Sequence, residues 1–153
     1  MKLVPLHNTV EFEDLELLSI KAGQKMYGRV VSSIANGFPS PAEDFSGEVL
    51  SLDEKYLSKP ESTYFAKAKG LSNYPTICPG DLMVIRADIQ VNDGDLAVVS
   101  FNNSKFSTKR VDLTTKKLYP DNSDFGAIEV GDDDVVVVMG KIHAIIRENL
   151  TKK

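Results

Sequence analysis

The chain has 153 residues, 42% hydrophobic and 26% charged, which fits one domain with a core of ordinary size plus a modest arm. A formal charge of −4 argues against a dedicated basic surface for nucleic acid, because phosphate binding rests on clustered Lys and Arg. Cys78 is the single cysteine, which excludes an internal disulfide and a cysteine-based zinc site and fits a reducing cytoplasm.

Residues 1–36 differ from the rest. The start is mixed apolar and acidic (Val10, Phe12, Leu15, Leu17, Leu18, Ile20), and the second half is punctuated by glycine. Periods of two and of 3.6 each fit in part, so the segment is expected to be an arm whose secondary structure stays open. Acidic residues stand where a secretory leader would carry an apolar run, and no apolar run approaches the roughly 20 residues that span a bilayer. A soluble, unexported chain without a membrane anchor is expected. The arm is also too short for a DNA-reading helix-turn-helix domain with its supporting helices, so no direct sequence-specific DNA binding is expected.

Asn36-Gly37-Phe38-Pro39-Ser40-Pro41 reads as a turn running into extended chain, since each proline fixes its own φ and biases the residue before it away from the helical region. Read from the residues alone, Asn-Gly is a tight turn between arm and domain. Ser51-Leu52-Asp53-Glu54 matches a capping box and predicts a short scaffold helix to about Leu57, closed off by Pro60. Strand-like runs follow at about 62–68, 82–87, 95–101, 104–111 and 115–119, with a long apolar ribbon at 134–147. Gly70, Pro79-Gly80-Asp81, Asn92 to Asp95, Asn102-Asn103-Ser104 and Pro120-Asp121-Asn122 separate them, nearly all turn formers. The body is therefore expected to be all-β, with no internal repeat.

Two residues on this scaffold could carry chemistry. Ser72 lies in a Gly/Asn/Pro-rich turn after one strand-like run, and Lys109 lies at the end of another, 37 residues further on. Spacing alone leaves the pair weak, because loop serines usually cap or bond a turn and strand-end lysines are usually solvated. His143, inside an apolar pattern, reads as a packed or edge histidine, and His7 lies in the arm. Asp132-Asp133-Asp134 reads as a solvated turn rather than a cation site, because EF-hand spacing is absent. No cofactor or metal is expected.

The order of the surrounding residues adds more. Gly37 to Ala42, Thr63-Tyr64-Phe65, Gly70-Leu71-Ser72, Pro79-Gly80-Asp81-Leu82, Asp93-Gly94-Asp95, Phe106 to Arg110 and Pro120-Asp121-Asn122-Ser123 resemble the peptidase domain of the LexA/UmuD family of self-cleaving SOS-response proteins, in its order and at nearly its spacing. The UmuD branch is the nearer one. The resemblance implies a LexA/signal-peptidase-like β-strand domain at 37–153 with a cleavable N-terminal arm at 1–36. It implies Ser72 as nucleophile, Lys109 as base and Asn36-Gly37 as the bond cut. A lysine base works only when neutral, and apolar surroundings favour the neutral form; Phe101, Phe106 and Val111 are the candidates. The backbone N–H groups of Leu71 and Ser72 are the expected oxyanion donors.

This chain departs from the family at Asn36, where a small residue is usual, and at Asn73, where methionine is usual. It also has one residue fewer in the loop after Ser72 and one more in the turn before Lys109. The partners implied are a second copy of the chain, the RecA filament as co-protease and a UmuC-type error-prone translesion polymerase, all cytoplasmic. The competing expectation is a binding module that keeps the scaffold and dimer surface but does not cut.

Overall fold

Val-, Ile- and Leu-rich runs become strands where Gly, Asn, Asp and Pro bound them, since branched side chains suit a pleated, buried surface. The computed structural model describes residues 2–5, 11–19, 28–31 and 45–148. Two units divide the chain, one of residues 1–20 with 62–153 and one of residues 21–61. The architecture is all-β, with a single short α-helix among the described residues.

In the smaller unit, β3 (Gly28–Val31) pairs antiparallel with β4 (Phe45–Leu50). Helix α1 (Leu52–Tyr56) follows, and its N-cap Ser51 accepts the Glu54 N–H at 3.3 Å, as the capping box predicts. Strand β4 has no counterpart in the sequence reading, because Ser46-Gly47-Glu48 interrupts its apolar pattern.

The described residues of the larger unit form a nine-stranded sheet. Its order is β10 (Ile128–Glu129), β9 (Lys117–Tyr119), β8 (Ser107–Asp112), β7 (Leu96–Phe101), β11 (Val135–Ile146), β6 (Leu82–Arg86), β5 (Thr63–Ala68) and β2 (Leu15–Leu18), and β1 (Lys2–Pro5) joins β11 in parallel. The six runs read from the sequence in this unit are β5, β6, β7, β8, β9 and β11. Strands β1 and β2 lie in the segment whose pattern was ambiguous, and pairing with β11 and β5 decides them.

Both faces of the central strands are buried. Leu96 and Val98 of β7 pack with Met83, Ile85 and Phe106 in one cluster, while Ala97 and Val99 pack with Val111, Leu118 and Val136 in the other. That is why β7 reads as a continuous apolar run rather than an alternating one. β11 serves both clusters by alternation, Val136 in one and Met139 in the other, and it shifts phase at two irregularities, between Val138 and Gly140 and between Ile142 and Ala144.

Candidate active site

The Ser72 turn begins where β5 ends. Gly70 turns the chain at φ +78, a left-handed conformation that a side chain would strain. Beyond Ser72 the loop folds on itself: the Tyr74 N–H donates to the Leu71 carbonyl at 3.1 Å and the Ile77 N–H to the Asn73 carbonyl at 2.8 Å. Asp81 closes it, accepting the Cys78 N–H at 2.8 Å and a two-pronged bond from Arg147 at 2.8 and 2.6 Å. The Arg147 guanidinium holds the Asp81 carboxyl below the usual carboxylate range.

Asn73 locks this turn to β8. It is 4% exposed, and its amide donates to the Thr108 carbonyl at 2.9 Å and to Ser72 Oγ at 3.4 Å while accepting the Asp121 N–H at 3.0 Å. Asp121 in turn accepts from Arg110 Nε at 2.7 Å. The two β8 residues that flank Lys109 are thus both tied to the serine turn, Thr108 directly and Arg110 through Asp121. Lys109 itself is half-buried. Side chains alternate along β8, so Lys109 shares its face with Val111 and stands opposite Ala97 of β7.

Ser72 and Lys109 are not hydrogen-bonded to one another. Ser72 Oγ donates to Asp14 Oδ2 at 3.1 Å, and the same carboxylate accepts the Thr108 N–H at 3.0 and 3.1 Å. Burial lifts the Asp14 carboxyl above its ordinary range. The Thr108 N–H, the Lys109 charge and the Ser72 hydroxyl pull it back in turn, so Lys109 stands close enough to act on Asp14 electrostatically. Asp14, Gly70, Ser72, Asn73, Met83 and Thr108 line a small hollow at this point. Thr108 Oγ1 is buried there and meets no partner among the described residues.

The carbonyls of Leu71 and Ser72 accept from Asn122, through its side-chain amide at 2.9 Å and its backbone N–H at 3.0 Å. In a trans peptide the N–H points opposite to the C=O. The Ser72 N–H, which shares a peptide plane with the Leu71 carbonyl, therefore faces away from Asn122.

Of the other candidates, Asn36, Gly37 and His7 lie outside the described residues. His143 is exposed at the second irregularity of β11. The Asp132–Asp134 stretch is a turn: Asp134 accepts from the Gly131 N–H at 2.7 Å and the Asn102 amide at 2.8 Å, and Asp132 pairs with Lys116 at 3.1 Å. Phe106 and Val111 are buried in opposite clusters, on either side of Lys109 in sequence. Asp14 is the site residue that the sequence did not reveal. Its contact to Ser72 spans 58 positions, and its neighbours carry no motif.

An antiparallel β scaffold whose serine turn is bolted to a lysine-bearing strand defines the class: the family model described as Peptidase S24-like matches residues 29–143, and the chain belongs to this family of serine peptidases. Within it the chain is a UmuD-like member of the LexA/UmuD group. It is 32% identical to Protein MucA of Salmonella typhimurium over 117 residues, covering 74% of this chain and 80% of the relative. It is 36% identical to Protein SamA of Salmonella typhimurium over 78 residues, covering 50% of this chain and 55% of the relative. The LexA repressor of Teredinibacter turnerae is 27% identical over 121 residues, covering 76% of this chain and 58% of the repressor. No helix among the described residues is long and apolar enough to cross a membrane.

Proposed function

We propose that the chain is a self-cleaving serine peptidase of SOS mutagenesis that removes its own arm, after which the body serves as accessory subunit of an error-prone translesion polymerase. Ser72 Oγ attacks the carbonyl of Asn36, and Lys109 takes the hydroxyl proton and delivers it to the leaving amine of Gly37. Water then hydrolyses the Ser72 ester, with Lys109 again carrying the proton. The Ser72 N–H, turned away from Asn122, serves as one oxyanion donor, with the Leu71 N–H as the second. In this reading the chain acts as a cytoplasmic homodimer, with the RecA filament as co-protease and a UmuC-type polymerase as client.

The observation that supports this reading best is the double tie of the serine turn to β8 on both sides of Lys109, through Asn73 to Thr108 and through Asp121 to Arg110. A strand held in register against the nucleophile's turn keeps base and nucleophile at a fixed separation, which is what proton relay requires. The second reading, a binding module that does not cut, is favoured by the engagement of the Ser72 hydroxyl with Asp14.

Intact-mass measurement at neutral and at alkaline pH separates the two, with Ser72→Ala and Lys109→Ala beside the wild type. Alkaline pH raises the fraction of any lysine base in its neutral form. Scission between Asn36 and Gly37 in the wild type alone is the expected result. Three intact chains at every pH, with RecA filaments present as well, would establish the binding module instead.

A further inference from the structure

The hollow beside Ser72 lies in a slot between two strand edges. Strand β5 pairs on one side with β6, and the opening half of β8 pairs on one side with β7; both other edges face the arm. Residues 11–18 fill the space between them. On the β5 side, β2 runs antiparallel with Leu15 opposite Ala68 and Leu18 opposite Phe65, and the Lys69 N–H donates to the Asp14 carbonyl at 2.8 Å. On the β8 side, Phe12 bridges Phe106 in parallel, with the Phe106 N–H on the Glu11 carbonyl and the Glu13 N–H on the Phe106 carbonyl, each at 2.8 Å.

Side chains anchor the same segment. Leu15 is 4% exposed within the cluster that holds Ala66, Ala68 and Met83, and Phe12 meets the Phe106 ring at a centroid distance of 6.2 Å. Between them the chain bends and drives Asp14 inward onto Ser72 Oγ and the Thr108 N–H. The segment therefore uses the backbone groups that an added peptide strand would need, and it occupies the nucleophile's hydroxyl as well.

We propose that residues 11–18 are the resident occupant of a strand-binding slot, a plug anchored by Asp14 that competes with any other extended chain for the Ser72 cleft. The proposal rests on the peptidase reading of Ser72 for its consequence, but the slot and its occupant stand without it. A hydroxyl that donates to Asp14 is turned away from Lys109, and Asp14 also draws on the Lys109 charge. The plug must peel from both edges before a substrate strand can lie across Ser72. One ladder, one isolated bridge, one buried leucine and one carboxylate hold it, so its release is a discrete local opening rather than a gradual drift.

The test uses the full chain and reads amide hydrogen exchange by NMR in wild type, Asp14→Ala and Leu15→Asp, with intact mass followed on the same samples. The amides of Lys69, Phe106 and Thr108 find their acceptors in the plug, whereas those of Val98 and Val99 lie in β7 away from it. The expected result is at least a tenfold fall in protection at Lys69, Phe106 and Thr108 in the variants, with Val98 and Val99 unchanged. Unchanged protection at all five positions in both variants overturns the plug. Loss at all five positions together in Asp14→Ala, the milder change, also overturns it, because the segment would then be part of the global fold. Faster scission accompanying selective opening supports plug and peptidase together. Selective opening with no scission leaves the plug standing and counts against the peptidase reading alone.

Discussion

Asn73 shows how one residue can read as a departure in sequence and act as a bolt in structure. Its amide is buried and satisfied on three sides, by Thr108, Asp121 and Ser72. Truncation to alanine leaves the buried Thr108 carbonyl and the half-buried Asp121 N–H without their partner, which costs about 1–3 kcal/mol. The expectation for Asn73→Ala is a loss of that size in urea unfolding. Self-cleavage should fall further than stability does, because the Ser72 turn is no longer fixed against β8. Methionine at this position, the residue usual in the family, restores bulk without the bonds, so Asn73→Met should leave the turn equally untied. If stability and cleavage are both unchanged in Asn73→Ala, Asn73 is not the bolt. The turn that carries Ser72 and the strand that carries Lys109 were legible in the sequence, because turn formers bound the first and a strand-like run marks the second. Asp14 was not, since no local pattern announces a carboxylate whose partners lie across the fold, and its worth exists only after β2 has docked.

Strands were legible to the degree that their side chains declare them. The apolar runs of β6, β7 and β11 predict themselves, because two buried faces demand uninterrupted Val, Ile and Leu. β2 does not, since Leu15 alone of its four residues is buried and pairing with β5 supplies what propensity lacks. β11 also shows a feature that hydrophobicity cannot reveal, the glycine within it. A Cβ on Gly140 would stand 2.8 Å from the Arg86 carbonyl oxygen and 2.8 Å from Ile85 Cγ2, and the carbonyl is backbone that cannot swing aside. Gly140 also sits where the register with β7 shifts, so displacement there disturbs β6 and β7 together. Gly140→Ala should destabilise by roughly 1–3 kcal/mol through overpacking, seen as a lower midpoint in thermal unfolding. An unchanged midpoint would mean that β11 can move away from β6 at no cost.

At the scale of the whole molecule, the arm contributes β1 and β2 to the same sheet as the catalytic candidates. β1 lies parallel to the first part of β11, from Lys2 opposite Val135 to Pro5 opposite Val138, and Leu3 packs against the cluster around Val136. A cut at Asn36–Gly37 would sever one peptide bond and none of these ladders. Covalent processing and physical release are therefore separate events, and the second has its own free-energy cost. The expectation is that, after complete scission in native buffer, the fragment 1–36 travels with the body. Native mass spectrometry should show a mass equal to the uncut chain plus one water, while denaturing mass spectrometry of the same sample shows two pieces. Dilution or a mild denaturant should then split the complex well before the body unfolds, because the fragment's three strands, β1, β2 and β3, of four residues each, hold less surface than the strands of the body. Immediate loss of the fragment on scission would mean that the three ladders, β1 with β11, β2 with β5 and β3 with β4, are stable only while the tether keeps the arm at high effective concentration. Scission itself would then be the switch, baring the edges of β5 and β11 in a single step.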